Sequence, residues 1–127
     1  MIAELYRAPL PDSIKLAVFE RLCAWRAYAV STCLHAPDPA DSSRPEIYAA
    51  AWSPLVVCES CIGLLGPRPG SVEDRTCDLC GHVAALDYGD DVRGVAAELG
   101  RFHFMYGVCN RCQPNVADIR YLRSVKI

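Results

Sequence analysis

Apolar residues recur at steps of three and four near the start of the chain, which is the spacing of one face of an α-helix. The positions in this stripe are Ile14, Val18, Leu22, Trp25, Ala29 and Cys33. Pro11, followed by Asp12 or Ser13, is typical of a helix start. The pattern predicts a helix over residues 12–35 whose apolar stripe needs a partner surface to cover it.

A proline-rich stretch separates this helix from the remainder of the chain. Residues 36–45 read APDPADSSRP, and prolines remove backbone donors and favour extended neighbours. We therefore predict two parts. Residues 1–45 form an N-terminal helix and a Pro-rich hinge, and residues 46–127 form a cysteine-rich zinc-binding domain.

The pattern beyond the hinge is made of short segments. Residues 47–52 favour a short helix and residues 55–57 a strand, while residues 83–88 and 101–108 favour two further strands. A short apolar segment, 95–99, lies between glycines. Alternation in the last strand predicts one face with Phe102, Phe104, Tyr106 and Val108 and another with Arg101, His103 and Met105. Pro114 is well placed to open a closing helix that runs to about residue 124. The predicted fold class is α+β, with zinc knuckles, a β-hairpin and a closing helix added to the N-terminal helix.

Composition narrows the class of protein. The 127 residues are 52% hydrophobic and 22% charged, with a formal net charge of −2, which is typical of one compact domain, alone or with a helical arm, and excludes a disordered chain. The longest uncharged stretches, 27–37 and 47–58, are shorter than the ~18 apolar residues of a membrane span. Glu4 and Arg7 would interrupt the apolar part of a secretion signal. We expect a cytoplasmic protein with no membrane contact.

Eight cysteines are the strongest chemical signal in the sequence. In a reducing compartment such a count indicates metal or redox chemistry rather than disulfides. Six of them form three Cys-x-x-Cys pairs: Cys58/Cys61, Cys77/Cys80 and Cys109/Cys112. Two thiolates at this spacing supply half of a tetrahedral zinc site with bonds of ~2.3 Å. We predict these six cysteines as zinc ligands.

Two arrangements of the pairs remain open. In the first, Cys58/Cys61 and Cys77/Cys80 share a zinc ion; in the second, Cys77/Cys80 and Cys109/Cys112 do. In either arrangement one cysteine pair remains. With further ligands it would bind a second zinc ion, so we predict one zinc ion per chain or two. The candidates for direct ligation or for supporting hydrogen bonds are His82, His103, Cys33 and His35. We expect His103 to be exposed and Cys23 to act as a small apolar residue of the helix.

The order of these motifs carries a family resemblance. A knuckle, a hairpin and a cysteine pair at the start of a helix resemble the treble-clef zinc fingers, and Cys77-Asp78-Leu79-Cys80-Gly81 is also similar to zinc ribbons. The three pairs, read as CESC, CDLCG and GVCNRC, resemble small cysteine-rich proteins encoded by actinobacteria and their mobile elements. The resemblance covers residues 58–124 at most and implies a zinc-binding architecture without a specific function.

Motifs of hydrolytic or nucleotide chemistry are missing from the sequence. It contains no H-E-x-x-H, no deaminase signature, no Walker loop, no G-x-G-x-x-G and no G-x-S-x-G. We therefore predict a non-enzymatic structural-zinc protein that acts as a protein–protein interaction or regulatory module. The apolar N-terminal helix could dock on the zinc-binding domain of its own chain, on a second copy of the chain or in a groove of a protein partner.

Two alternative functions keep some support. Nucleic-acid binding would use basic and aromatic residues at the C-terminal end, namely Arg111, Arg120, Tyr121, Arg123 and Lys126. It would have to overcome the charge of residues 58–108, which hold eight acidic and four basic side chains. Thiol-disulfide exchange would use Cys58/Cys61, which follow an apolar strand, although Glu59 disfavours a neighbouring thiolate.

Overall fold

The computed structural model describes residues 5, 7, 10–40, 46–85 and 91–112. In chain order, the elements are helix α1 (Asp12–Arg26), strands β1 (Ile47–Ala50) and β2 (Ser53–Cys58), two 3-10 helices (Glu59–Leu65 and Glu73–Arg75), and strands β3 (Val92–Leu99) and β4 (Phe102–Cys109). The fold is α+β, as predicted. The predicted closing helix and Arg120, Tyr121, Arg123 and Lys126 lie outside the described residues.

Helix α1 begins where the sequence predicts but ends nine residues earlier, at Arg26. Its buried residues are Ile14, Val18, Leu22 and Trp25, which follow the predicted stripe. The extension to residue 35 was wrong, because Tyr28 takes a positive φ of 57° and residues 27–35 form turns, a bend and one isolated bridge instead of helix. Thr32 forms a parallel bridge to Val56 of β2. Pairing beside the sheet therefore replaces the last helical turns.

The four strands form one mixed sheet in the order β2-β1-β4-β3. β1 pairs antiparallel with β2 and parallel with β4, and β3 pairs antiparallel with β4. The short helix predicted over residues 47–52 was wrong, since residues 47–50 form β1. Ile47, Ala49 and Ala50 are all buried, because this strand is enclosed on both sides. A strand of that kind is an apolar run without alternation, which the sequence pattern cannot distinguish from a buried helix.

The predicted strand 101–108 is confirmed as β4, and its partner in the hairpin is β3 rather than residues 83–88. Val83 forms only an isolated bridge to Thr76, residues 84 and 85 are irregular, and residues 86–88 lie outside the described part. The apolar segment predicted over residues 95–99 is the second half of β3. A two-residue turn joins the hairpin, with Gly100 at a φ of 60°, a conformation that glycine adopts without strain.

Helix α1 packs on one face of this sheet. Its buried stripe shares a core with residues of all four strands, and the β4 members of that core are the predicted face Phe102, Phe104, Tyr106 and Val108. Arg21 also reaches the turn between β1 and β2, where its guanidinium donates to the carbonyl oxygens of Ala50, at 3.1 Å, and Ser53. The apolar stripe is thus covered within the chain.

A smaller core forms elsewhere on the sheet, where the 3-10 helix Glu59–Leu65 contributes Leu65 beside Val57 and Met105. His103, which we expected to be exposed, is only 7% exposed. Its ring stacks on Tyr48 at a centroid distance of 4.4 Å, and its Nε2 lies 3.0 Å from Glu46 Oε2. Alternation assigned His103 to the correct face, but that face is covered rather than open to solvent.

Candidate metal centres

Two groups of cysteine and histidine side chains converge in the described part of the chain. The first, which we call the hairpin site, consists of Cys77, Cys80, Cys109 and Cys112. The second, which we call the edge site, consists of Cys33, His35, Cys58 and Cys61. Within each group, one ligand atom per residue lies within 4.8 Å of all the others. All six cysteines of the predicted pairs are therefore found in these two groups.

The hairpin site begins with a tight turn around Cys77 and Cys80. The Cys77 N–H donates to the His82 carbonyl at 2.7 Å, and the Gly81 N–H donates to the Cys77 carbonyl at 2.8 Å. Gly81 has a φ of 79°, which a residue with a side chain adopts only with strain. This geometry explains the glycine directly after the second cysteine of the pair.

Asp78 docks this turn onto β4. Its N–H donates to the Gly107 carbonyl at 2.8 Å, and its Oδ2 accepts the N–H of Gly107. These bonds lie just beyond Met105, whose carbonyl accepts the N–H of Ala51 after β1 has ended. The turn therefore takes over the side of β4 that β1 leaves free, and this pairing brings Cys77 and Cys80 to the end of β4.

Cys109 is the last residue of β4, and Cys112 follows in a turn in which its N–H donates to the Cys109 carbonyl at 3.1 Å. The Sγ atoms of Cys80 and Cys109 are 3.8 Å apart. Cys77 and Cys109 are buried, Cys112 is half-buried and Cys80 is exposed. Of the two open arrangements, the structure has the second, in which Cys77/Cys80 meet Cys109/Cys112.

The thiols of the hairpin site influence one another strongly. Burial raises the pKa of the Cys109 thiol, but hydrogen bonds from the Cys112 backbone, from the neighbouring thiols and from the Arg111 backbone outweigh it and lower the pKa to about 6. Burial and the adjacent thiols raise the pKa of Cys112 to about 12, and burial raises the pKa of Cys77. Four thiolates this close together require a cation among them, because their mutual repulsion opposes full ionisation.

The edge site joins two segments that are distant in sequence. Cys33 and His35 come from the irregular segment after α1, where His35 lies in a turn, whereas Cys58 ends β2 and Cys61 lies in the following 3-10 helix. The Cys58 N–H donates to Cys33 Sγ at 3.3 Å, and His35 Nδ1 lies 3.3 Å from Cys61 Sγ. The three cysteines are half-buried and His35 is exposed.

The edge site also shifts the ionisation of its thiols. Burial raises the pKa of Cys33, but hydrogen bonds from the backbone of Cys58 and His35 give a net lowering. Partial burial and the Cys58 and Cys33 thiols raise the pKa of Cys61 to about 11. A thiol that receives N–H hydrogen bonds is favoured as the thiolate, which is the form that binds metal.

Both donor sets fit a tetrahedral soft-metal site. Thiolate sulfur and imidazole nitrogen are the ligands that zinc takes in structural sites, either as four cysteines or as three cysteines and one histidine. Each group supplies four donors, so a zinc ion held by all four has no open position for water or substrate. In chemical terms, the two sites are suited to cross-linking segments of the chain.

The remaining predicted ligands lie outside both groups. His82 is half-buried and contributes its backbone carbonyl to the turn of the hairpin site. His103 belongs to the cluster with Tyr48 and Glu46 described above, and Cys23 is a half-buried residue of α1. Arg111 is exposed between Cys109 and Cys112. No role for Asp78 was predicted from the sequence. Its position between Cys77 and Cys80 was the one feature of the sequence that could have indicated such a role.

Comparison with known proteins identifies no relative. No protein-family model matches the chain, and neither the curated proteins nor the solved structures contain a match. Among the helices of the described residues, none has the length and apolar character needed to cross a membrane.

Proposed function

We propose that this protein is a non-enzymatic zinc-binding module, whose two zinc ions hold its structure and whose surface recognises another protein. The observation that carries the proposal is that both groups offer four closely placed donors. A catalytic zinc ion keeps a position open for water or substrate, whereas a structural one is closed by four protein ligands. The hairpin site, with its knuckle, hairpin and second cysteine pair, gives the proposed zinc finger a treble-clef-like order.

The surface around the edge site supports recognition of a protein. Leu34, between ligands Cys33 and His35, is 100% exposed, and Leu64, three residues after Cys61, is 61% exposed. Burial of large exposed apolar side chains against a partner lowers the free energy of the complex. Two ligands that flank Leu34 fix its backbone, so the side chain loses little conformational entropy on binding.

The metal content tests the first half of the proposal. We expect native mass spectrometry of anaerobically purified protein to give two zinc ions per chain. X-ray absorption should give a mixture of four-sulfur and three-sulfur, one-nitrogen coordination, with distances of ~2.3 Å and ~2.0–2.1 Å. Purified protein without metal and with oxidised cysteine pairs would contradict the proposal and favour thiol-disulfide exchange.

A matched pair of variants tests the second half. Leu34→Asp and Val72→Asp each place a charge on an exposed apolar residue, but only the first lies at the edge site. Partner proteins captured by the zinc-loaded wild type should be lost with Leu34→Asp and kept with Val72→Asp. Equal capture by both variants would exclude Leu34 from the recognition surface.

A further inference from the structure

The segment Ser31–Ala36 follows helix α1, and its first three residues lie along the outer side of β2. The Val56 N–H donates to the Ser31 carbonyl at 3.0 Å, and the Cys58 N–H donates to Cys33 Sγ at 3.3 Å. Pro54, two residues before Val56 on the same strand, has no N–H to satisfy. At every second position of β2 from Pro54 to Cys58, the backbone N–H is therefore either bonded to this segment or absent.

Among the described residues, few contacts other than those of the edge site hold this segment in place. Thr32 makes a single bridge to Val56, and Leu34 is fully exposed and contributes no burial. Cys33 packs against the smaller core, and Cys33 and His35 are the two ligands that the segment contributes to the edge site. A metal ion bound there would cross-link the segment to Cys58 and Cys61, next to the two amides that it covers.

The two sites differ in how firmly they would hold a metal ion. The hairpin site has two buried ligands, Cys77 and Cys109, beside the half-buried Cys112 and the exposed Cys80. The edge site has no fully buried ligand, and its His35 is exposed. Exposed ligands exchange with water and chelators more readily, because no surrounding structure has to open first.

We propose that the edge site is a removable metal lock on the sheet. Loss of its zinc ion releases the segment Ser31–Ala36 from β2 and uncovers the N–H groups of Val56 and Cys58, while the hairpin site and the helix–sheet core stay folded. The protein thereby has two states that differ in the metal bound at one site. This inference rests on the proposed zinc binding, and it adds a local conformational change governed by metal availability.

Amide hydrogen exchange on the full chain, followed by NMR, tests the lock. In the two-zinc protein, the Val56 and Cys58 amides should be protected. Removal of one zinc equivalent with a limiting amount of EDTA should speed their exchange at least tenfold. The amides of Ala51 and Asp78, which donate to the Met105 and Gly107 carbonyls, should exchange at unchanged rates.

The variant His35→Ala should reproduce this state without a chelator, with one zinc ion bound and the same two amides exposed. His82→Ala, which removes a histidine outside both sites, is the matched control, and His35→Cys should restore the second zinc ion and the protection. Continued protection of Val56 and Cys58 in a one-zinc protein overturns the lock but leaves the proposed function intact. Simultaneous loss of both metal ions, or retention of two in His35→Ala, also overturns it. A protein that binds no zinc at all refutes the proposed function as well.

Discussion

The hairpin site and the edge site use nearly the same donors in different surroundings. The hairpin site lies where a turn, Cys77–Cys80, pairs with the end of β4, and two of its thiols are buried. The edge site lies at the outer side of the sheet, with an exposed histidine and a fully exposed leucine between two ligands. The kind of donor atom therefore determines which metal ion a site binds. Burial and backbone pairing determine how much stability the protein loses when the ion is removed.

The largest expected effect comes from a buried ligand of the hairpin site. Cys109→Ser should reduce the metal content by one zinc ion and abolish cooperative unfolding. Structural zinc supplies ~10–16 kcal/mol in small fingers, which matches or exceeds the ~5–15 kcal/mol stability of an ordinary domain. Circular dichroism melts together with native mass spectrometry check this result. Cys23→Ser, on α1, is the control and should keep both zinc ions. A cooperative melt of Cys109→Ser with two bound zinc ions would remove the distinction between the sites.

A substitution in the core, away from both sites, gives a reference for the loss of stability in the ligand variants. Leu22 is fully buried between α1 and the sheet, so Leu22→Ala should lower the free energy of unfolding by about 2–5 kcal/mol through lost burial and a residual cavity. Both zinc ions should remain bound under native conditions. Denaturant titration of the zinc-loaded protein measures the change. Loss of zinc from either site in this variant would mean that the core, and not the local geometry, holds that site together.

Asp78 tests how much the docking of the turn contributes to the hairpin site. Its carboxylate accepts the Gly107 N–H, and such bonds to a charged group contribute about 1.5–3 kcal/mol. Asp78→Ala should therefore lower stability by about that amount and speed zinc transfer from the hairpin site to a chelator. Asp78→Asn keeps an acceptor oxygen and should lose less. Faster zinc release from the edge site, with unchanged release from the hairpin site, would contradict the role of Asp78 in supporting the hairpin site.

The smallest expected effect concerns Tyr106, which precedes Cys109 by three residues on β4. Its side chain is buried, and its hydroxyl finds no hydrogen-bond partner among the described residues; burial also raises its pKa. Tyr106→Phe should leave stability unchanged or raise it by about 1 kcal/mol, because it removes an unpaired buried polar group. Thermal unfolding at equal zinc loading measures this change. A decrease of more than about 1 kcal/mol in the free energy of unfolding would show that the hydroxyl makes a stabilising hydrogen bond.

The sequence predicts those parts of the molecule that depend on local periodicity. The start of α1 and the two faces of β4 follow from spacing that repeats over a few residues. β1 escapes such prediction because Ile47, Ala49 and Ala50 are buried on both faces. The end of α1 escapes it because the apolar steps continue past Arg26, whereas Tyr28 takes a positive φ and Thr32 bridges to β2.

The candidate sites show the same division. The Cys-x-x-Cys pairs are visible as local spacing, and Cys33 and His35 could be named as candidates. Their assignment to Cys58 and Cys61 depends on a contact between segments that are distant in sequence. The meeting of Cys77 with Cys109 similarly depends on the bonds between Asp78 and Gly107. Tertiary pairing of this kind leaves no periodic signal in the sequence.

The parallel pairing of β1 with β4 has a consequence for how the chain folds. β1–β2 and β3–β4 are each hairpins of neighbouring residues, and such units form in about 1–10 μs. The seam between them pairs Ile47 with Phe102, so it requires closure of a long loop, which is the slow step in folds with distant contacts. Each hairpin ends in cysteine ligands, Cys58 on β2 and Cys109 on β4. Each half of the sheet therefore reaches the seam with thiols of a different site. Zinc captured early by Cys77 and Cys109 would shorten the loop between Ile47 and Phe102 and so speed closure of the seam.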